Sequence, residues 1–311
     1  MQPEINVVIP LYNESKVFEQ LINRLLGISK LTDQSIEFIL IDDGSKDDTA
    51  AKIAQICLTN KQFKGVILSR NFGHQLAVSA GLSVVTASKA VMVIDGDLQD
   101  PPELVVPLST KLAEGFDVVY AIRKKRKENI FKKTAYYFFY RILNSISYLP
   151  LPLDSGDFCI MSRRVVDILN KMPEESRYIR GMRTWVGFKQ TGFEYDRAER
   201  AAGDPKYNLK MLITLAYNGI FNFSEYPIKF VTKLGLIGTL SAFIYLTYVI
   251  VQKFTSNLVP TGFTALLFCV ILFGSLTLLS IGIIGEYIVR IFFQVKQRPN
   301  FIIDKIISTN E

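Results

Sequence analysis

Short apolar runs alternate with stretches of helical period along the first half of the chain. The runs at 6–10, 37–41, 65–68, 90–94 and 117–120 predict strands, and the segments 15–26, 48–58, 75–87 and 103–114 between them predict helices. Such alternation predicts a mostly parallel sheet covered by helices. In an open sheet of that kind ligands collect beyond the carboxyl ends of the strands. After a less regular region, 150–204, two uncharged apolar stretches follow at 234–251 and 263–285. Each is close to the roughly 20 residues that a helix needs to cross a hydrocarbon core. Helices suit that role because they satisfy their own backbone polar groups. A buried helical hairpin is the competing reading. The change from mixed to continuous apolarity sets a boundary near residue 229.

Composition leaves room for one α/β domain plus the hairpin: the chain has 311 residues, 49% hydrophobic, with a formal charge of +7. The positive charge is uneven. Arg123 to Lys127 reads RKKRK, Lys132 and Lys133 follow, and the next segment carries Tyr136, Tyr137, Phe138, Phe139 and Tyr140. Cations beside an aromatic, helix-compatible stretch predict an interfacial helix near 131–149, with a second amphipathic candidate near 207–222; an ordinary core helix is the alternative. No nucleic-acid-binding motif accompanies the charge, so nucleic acid is not an expected partner. Cys57, Cys159 and Cys269 lack metal or redox spacing, which fits a reducing compartment. No signal peptide is visible at the N-terminus. Lys229 and Lys233 precede the first span, and Arg290, Lys296, Arg298 and Lys305 follow or close the second, whereas the intervening loop holds only Lys253. Both flanks therefore read as cytoplasmic.

The chemistry gathers where strands end in acids. Ala90 to Asp100 is a buried-looking strand that stops at Asp95, Gly96 and Asp97, followed by Gln99. Packing does not account for that charge. One carboxylate is suited to a divalent cation, Mg²⁺ or Mn²⁺, and the other to a sugar or ribose hydroxyl. A turn-capping cluster is the plainer reading, since Asp100-Pro101-Pro102-Glu103 also marks a helix entrance. A second acidic strand end is Asp42-Asp43-Gly44-Ser45, and the first strand ends at Pro10-Leu11-Tyr12-Asn13-Glu14. Taken singly these are ordinary turns and caps. Together, at one sheet edge, they suit a nucleobase imide, a ribose and a base stacked on Tyr12. His74 is the only histidine, and its place at a helix entrance predicts packing or loop support rather than acid–base chemistry.

The segments VVIPLYNE, ILIDDGSKDDT, RNFGHQLA and IDGDLQDPPE resemble glycosyltransferase family 2, and within it the polyprenyl-phosphate glycosyltransferases, which include dolichol-phosphate mannose synthases and bacterial bactoprenol glucosyltransferases. DSGDF, RAAGDPKY and the double-span tail extend the resemblance over essentially the whole chain. The resemblance implies a GT-A catalytic domain, Rossmann-like with a mostly parallel sheet, followed by a two-helix transmembrane hairpin. The domains expected are 1–228 for the cytoplasmic transferase, 229–293 for two helices near 234–252 and 263–287, and 294–311 for a cytoplasmic tail.

By the same resemblance, Pro10, Tyr12, Glu14 and Asp43 match nucleotide contacts, Asp95 and Gly96 line the donor, and Asp97 with Gln99 matches the metal site. Arg123, Arg200 and Lys206 match phosphate-binding positions, although Pro205 stands where many relatives have serine. Asp157 matches the acidic residue placed as catalytic base or orienting group. Arg177 and Arg180 are further phosphate candidates, with a solvated helical face as their alternative. The implied reaction is inverting transfer of a hexose, first glucose from UDP-glucose, to a polyprenyl (undecaprenyl) phosphate at the inner membrane of a bacterium. GDP-mannose is the alternative donor. A processive polysaccharide synthase or an inactive membrane scaffold are the rival classes. The expected partners are a nucleotide-sugar donor, a polyprenyl phosphate and the lipid bilayer; subunit number stays open, a homo-oligomer included.

Overall fold

A computed structural model describes residues 2–123, 155–175, 177–196, 226–256 and 262–309. Arg200, Lys206 and both interfacial helices expected near 131–149 and 207–222 lie outside the described residues. The described chain divides into a sheet unit, which includes the residues from Arg298 onward, and a unit holding two long helices.

In the sheet unit β1 (Ile5–Leu11), β2 (Ile36–Asp42), β3 (Phe63–Leu68) and β4 (Ala90–Val93) run parallel in the order β4-β1-β2-β3. All seven residues of β1 are buried, as a strand covered on both faces requires. The helices α1 (Phe18–Ile28), α2 (Thr49–Thr59), α3 (His74–Ser83) and α4 (Val105–Ala113) connect them and lead on. A short 3-10 turn, Pro102–Leu104, opens α4, where the prolines are tolerated because first-turn N–H groups have no helical acceptor.

The region 150–204 is more regular than its sequence suggests. It contributes β6 (Ser155–Ser162), α5 (Arg163–Lys171), α6 (Ile179–Trp185) and β7 (Gln190–Tyr195), while β5 (Val118–Arg123) precedes it. β6 runs antiparallel between β4 and β5, and β7 lies parallel beside β5. The stretch 294–311, expected as a tail, supplies β8 (Ile303–Ile307), an edge strand antiparallel to β3. The sheet is therefore an eight-stranded mixed one, β7-β5-β6-β4-β1-β2-β3-β8.

Side chains alternate across this sheet into two cores. Val7, Ile9, Phe38, Leu40, Phe158 and Ile160 face α1, α2 and α4. Val8, Ile39, Ile41, Cys159 and Met161 face α3, α5 and α6. This period of two fixes which face each functional side chain near the strand ends can use.

The second unit is α7 (Tyr226–Ser256) and α8 (Phe263–Lys296), helices of 31 and 34 residues. At about 1.5 Å per residue each exceeds the roughly 30 Å of a hydrocarbon core. Their apolar windows are unburied, with Leu236 71% and Leu278 72% exposed, a state that water penalises and lipid does not. A Cβ on Gly238 would stand 3.2 Å from Cε1 of Phe273, so the small residue lets the two helices approach. Glu286 and Arg290 pair at 3.0 Å one turn apart on α8.

Candidate active site

The site begins with the loops that follow β1 and β2, which are laced to each other. Asn13, in a left-handed conformation at φ 54°, donates its N–H to Ser45 Oγ at 2.9 Å and accepts the Lys46 N–H at 2.8 Å. The Glu14 N–H donates to Thr49 Oγ1 at 3.1 Å. Tyr12 and Glu14 stand half-buried on this rim.

Asp43 has a further task. Its two oxygens accept the Phe72 N–H at 2.7 Å and the Gly73 N–H at 3.0 Å, so it clasps the loop after β3. It is buried, and burial pushes its carboxyl pKa up, with the Asp42 charge adding to the rise and the two backbone donors and His74 opposing it. Gly44 is obligatory beside it. Its φ is +65°, and a Cβ there would lie 2.4 Å from the backbone of Arg70 and Asn71.

The clasped loop delivers His74 as the first residue of α3. Its Nε2 lies 2.9 Å from Asp95 Oδ1, just beyond β4, and its Nδ1 lies 3.8 Å from Asp157 Oδ2 on β6. Gln75 donates Nε2–H to the same Asp157 oxygen at 2.7 Å, and its Oε1 accepts the Ile179 N–H at 2.9 Å. Arg180 Nη2 stands 3.6 Å from Asp157 Oδ1. Burial alone would lower the His74 pKa, but the Asp95 hydrogen bond and the charges of Asp95, Asp157 and Asp43 outweigh it and raise it to about 9. A raised pKa favours the charged ring at neutral pH, with Nε2–H directed at Asp95 and Nδ1 3.4 Å from Gln75 Nε2.

Beyond Asp95 the chain turns sharply. A Cβ on Gly96 would meet Leu11 Cδ2 at 2.2 Å and the Pro10 carbonyl oxygen at 3.3 Å, so glycine lets β1 and the acidic turn close on each other. Asp97 Oδ1 accepts the Gln99 N–H at 3.1 Å. Leu98 between them has φ +61°, a costly conformation for a branched residue, and its side chain is buried in the core. That anchor holds Asp97 and Gln99, both half-exposed, in one tight turn. No group of three His, Cys, Asp or Glu side chains converges as a metal cage among the described residues.

Arg123 ends β5 on the far side of this turn. Its Nε donates to Tyr195 Oη at 3.4 Å, its Nη2 is 4.0 Å from Asp100 Oδ2, and the Tyr195 hydroxyl donates to Asp100 Oδ1. Burial disfavours the Arg123 charge, but the Asp100 carboxylate, Tyr195 and Asp95 leave its pKa raised. Tyr195, missed by sequence reasoning, carries no motif; its partner Asp100 is buried.

The structure therefore brings Pro10, Asp95, Gly96, Asp97 and Gln99 to one edge, with Asp157 and Arg180 joined to Asp95 through His74. Arg177 does something else. Its Nη1 and Nη2 donate to the carbonyls of Met172 at 3.0 Å and Leu169 at 2.7 Å, so it caps the C-terminus of α5 rather than facing the acids. His74, expected to pack or to support a loop, bridges two site carboxylates.

This edge coincides with a recognised family signature: residues 6–169 match the model of Glycosyl transferase family 2. The chain belongs to glycosyltransferase family 2. The match runs from β1 through α5 and so contains every proposed residue from Pro10 to Asp157. This family 2 glycosyltransferase is 40% identical over 303 residues to the uncharacterized glycosyltransferase YkcC of Bacillus subtilis, covering 97% of this chain and 94% of that one. It is 38% identical over 307 residues to the uncharacterized glycosyltransferase sll0501 of Synechocystis, covering 98% and 96%. It is 35% identical over 305 residues to the prophage bactoprenol glucosyl transferase homolog of Escherichia coli, covering 97% and 99%. Such coverage carries the likeness through α7 and α8 as well as the transferase unit.

Proposed function

We propose that this chain transfers a hexose, glucose in the first instance, from a nucleoside diphosphate donor (UDP) to the phosphate of a polyprenol at the cytoplasmic face of a bacterial membrane. The observation that carries the reading is the convergence of Asp95, from the donor strand β4, and Asp157, from β6, on one imidazole. One acid faces the nucleotide edge and the other lies beside Arg180, a cation suited to an incoming phosphate. The two exposed apolar helices suit a lipid acceptor, and the full-length likeness to a bactoprenol glucosyl transferase homolog points to the same acceptor class.

In this reading Tyr12 stacks on the base and Glu14 meets the ribose. Asp43 offers the lone pairs left beyond its backbone clasp to the base imide. Asp95 and the bare backbone at Gly96 receive the sugar. Arg123, held by Tyr195 and Asp100, takes a phosphate, and Arg200 with Lys206 is assigned the same task. Asp97 and Gln99 would offer two hard oxygens, a donor set that fits Mg²⁺ or Mn²⁺. When bound, such an ion stabilises negative charge on the departing nucleotide.

The acceptor phosphate oxygen attacks the anomeric carbon as the bond from that carbon to the diphosphate oxygen breaks, inverting the configuration. A phosphomonoester has a second pKa near 6, so the attacking oxygen is already largely ionised and Asp157 has little proton to remove. Orientation is the larger task for Asp157, through Gln75 and Arg180. Chain connectivity supports the two-span topology. β8 pairs with β3, so the chain leaves the sheet unit for α7 and α8 and returns to it, as an even number of crossings demands.

The test is a donor panel. Purified protein in nanodiscs is incubated with radiolabelled UDP-glucose, UDP-galactose or GDP-mannose and undecaprenyl phosphate, and the extracted lipid is identified by mass spectrometry. A single-hexose lipid phosphate from UDP-glucose is expected. Product from GDP-mannose alone would reassign the donor, and polymer or no lipid product would overturn the reading.

A further inference from the structure

His74 joins two acids that come from different strand ends. Asp95 belongs to the turn after β4 and Asp157 to β6, which runs antiparallel beside it, so the two carboxylates approach the same edge from opposite chain directions. Two like charges so placed repel. The imidazole separates them, 2.9 Å from Asp95 and 3.8 Å from Asp157. Gln75, next in sequence, fixes Asp157 from the adjacent position at 2.7 Å and is itself held by the Ile179 N–H at 2.9 Å.

The origin of this placement is local. Asp43 clasps the N–H groups of Phe72 and Gly73, and Gly73 at φ +97° turns the chain into α3. His74 thus sits on the first turn of a helix whose residues Ala77 to Leu82 are buried against β1 and β2, a rigid base rather than a mobile loop. Asp43, Asp95 and Asp157 are the acids around the ring, and Arg180 lies on the far side of Asp157.

We propose that His74 is a positioning residue, a cationic strut that sets the spacing between the donor-side carboxylate Asp95 and the acceptor-side carboxylate Asp157. The inference rests on the transferase reading above and deepens it. Without the strut both substrates still bind, but their reacting atoms no longer meet in line. A misplacement of about 1 Å costs a transfer reaction on the order of 100-fold.

His74 is the chain's single histidine, so protein made without a histidine tag and labelled with ¹⁵N-histidine gives one imidazole to watch. In detergent micelles at pH 7.5 the ring nitrogens of the wild type should both carry protons. Asp95→Asn and Asp157→Asn should each lower the midpoint of the ring's titration. A neutral ring at pH 7.5, or a signal indifferent to Asp157→Asn, would overturn the strut whatever the enzyme transfers.

Kinetics supplies the second arm. His74→Ala should lower kcat about 10-fold to 100-fold while each KM moves less than about threefold, and added imidazole should restore part of the rate. The losses from His74→Ala and Asp157→Asn should not multiply in the double variant. A wild-type kcat in His74→Ala, or a loss confined to the donor KM, would refute the proposal. Wild-type protein that makes no glycolipid from any donor would instead refute the transferase reading, leaving the resonance experiment to decide the strut.

Discussion

Gln75 Nε2 donates to Asp157 Oδ2 across 2.7 Å, so the first turn of α3 holds the carboxylate that β6 presents. The same amide accepts the Ile179 N–H through its Oε1, which ties α6, and with it Arg180, to the pair. Gln75→Ala removes both bonds, leaving the buried Ile179 N–H without its acceptor and Asp157 without its amide donor. We expect a stability loss of about 1–3 kcal/mol and a fall in kcat larger than the change in donor KM. Denaturant melts and steady-state kinetics on the same preparation check both. Gln75→Glu should be worse for turnover, since it sets a like charge against Asp157.

The raised pKa of His74 gives folding a pH signature. The group sits near 6.5 in an unfolded chain and about 9 in the folded one. Its ionic contribution is therefore complete below about pH 6.5 and is lost as pH rises through about 9. The side chain is 42% exposed, and solvent screening keeps the effect on the order of 1 kcal/mol or less. Relative to His74→Gln, the wild type should lose thermal stability between pH 6.5 and 9. Parallel curves for the two proteins across that window would contradict the assignment.

Gly44 and Gly73 both have positive φ, yet they predict different outcomes. A Cβ on Gly44 would drive into the Arg70 and Asn71 backbone at 2.4 Å, whereas a Cβ on Gly73 meets nothing within 4 Å. Gly73→Ala pays only for conformation, about 1–2 kcal/mol. Gly44→Ala must also displace the loop that delivers His74, so it should cost more stability and abolish transfer. Circular dichroism melts and an activity assay separate the two cases, and equal effects would remove the loop from the account.

Tyr195 holds Arg123 and Asp100 together from β7, a strand with no signature in the sequence. Tyr195→Phe keeps the ring, which packs edge-on against Phe158 at 5.5 Å, and deletes only the hydroxyl. The buried Asp100 then lacks one donor, so stability should fall about 1–3 kcal/mol. Arg123 also loses its lateral support, and the KM for the nucleotide sugar should rise several-fold. Isothermal calorimetry with UDP reads the binding change directly; an affinity equal to that of the wild type would detach Tyr195 from phosphate recognition.

The parallel centre of the sheet was legible because β1 to β4 are short, apolar and regularly spaced, and their acidic ends stood out against that background. β6 was not, because Gly156 and Asp157 look like a loop until the alternation of Phe158 and Ile160 with Cys159 and Met161 is seen across the sheet. β8 was hidden for another reason. An edge strand needs one good face and a partner, and nothing near 303–307 in sequence names β3 as that partner. The partners of His74 were not legible because an isolated histidine carries no spacing to read. Its two acids lie 21 and 83 residues away and meet only after folding.

Asp97 and Gln99 flank Leu98, whose φ of +61° is stabilised by a side chain buried in the core. The turn thus spends conformational energy to hold two oxygen donors half-exposed at the strand end, where a diphosphate would complete the coordination of a divalent ion. Asp97→Ala removes the only charged ligand of the pair and should lower kcat/KM by about 100-fold or more. Gln99→Ala removes a neutral donor and should cost less, chiefly as a higher metal requirement. Both variants should insert into membranes as the wild type does, since neither touches α7 or α8. Manganese titrations followed by electron paramagnetic resonance, with and without UDP, read metal binding apart from turnover. Wild-type metal affinity in Asp97→Ala, with turnover unchanged across the titration, would place the ion elsewhere.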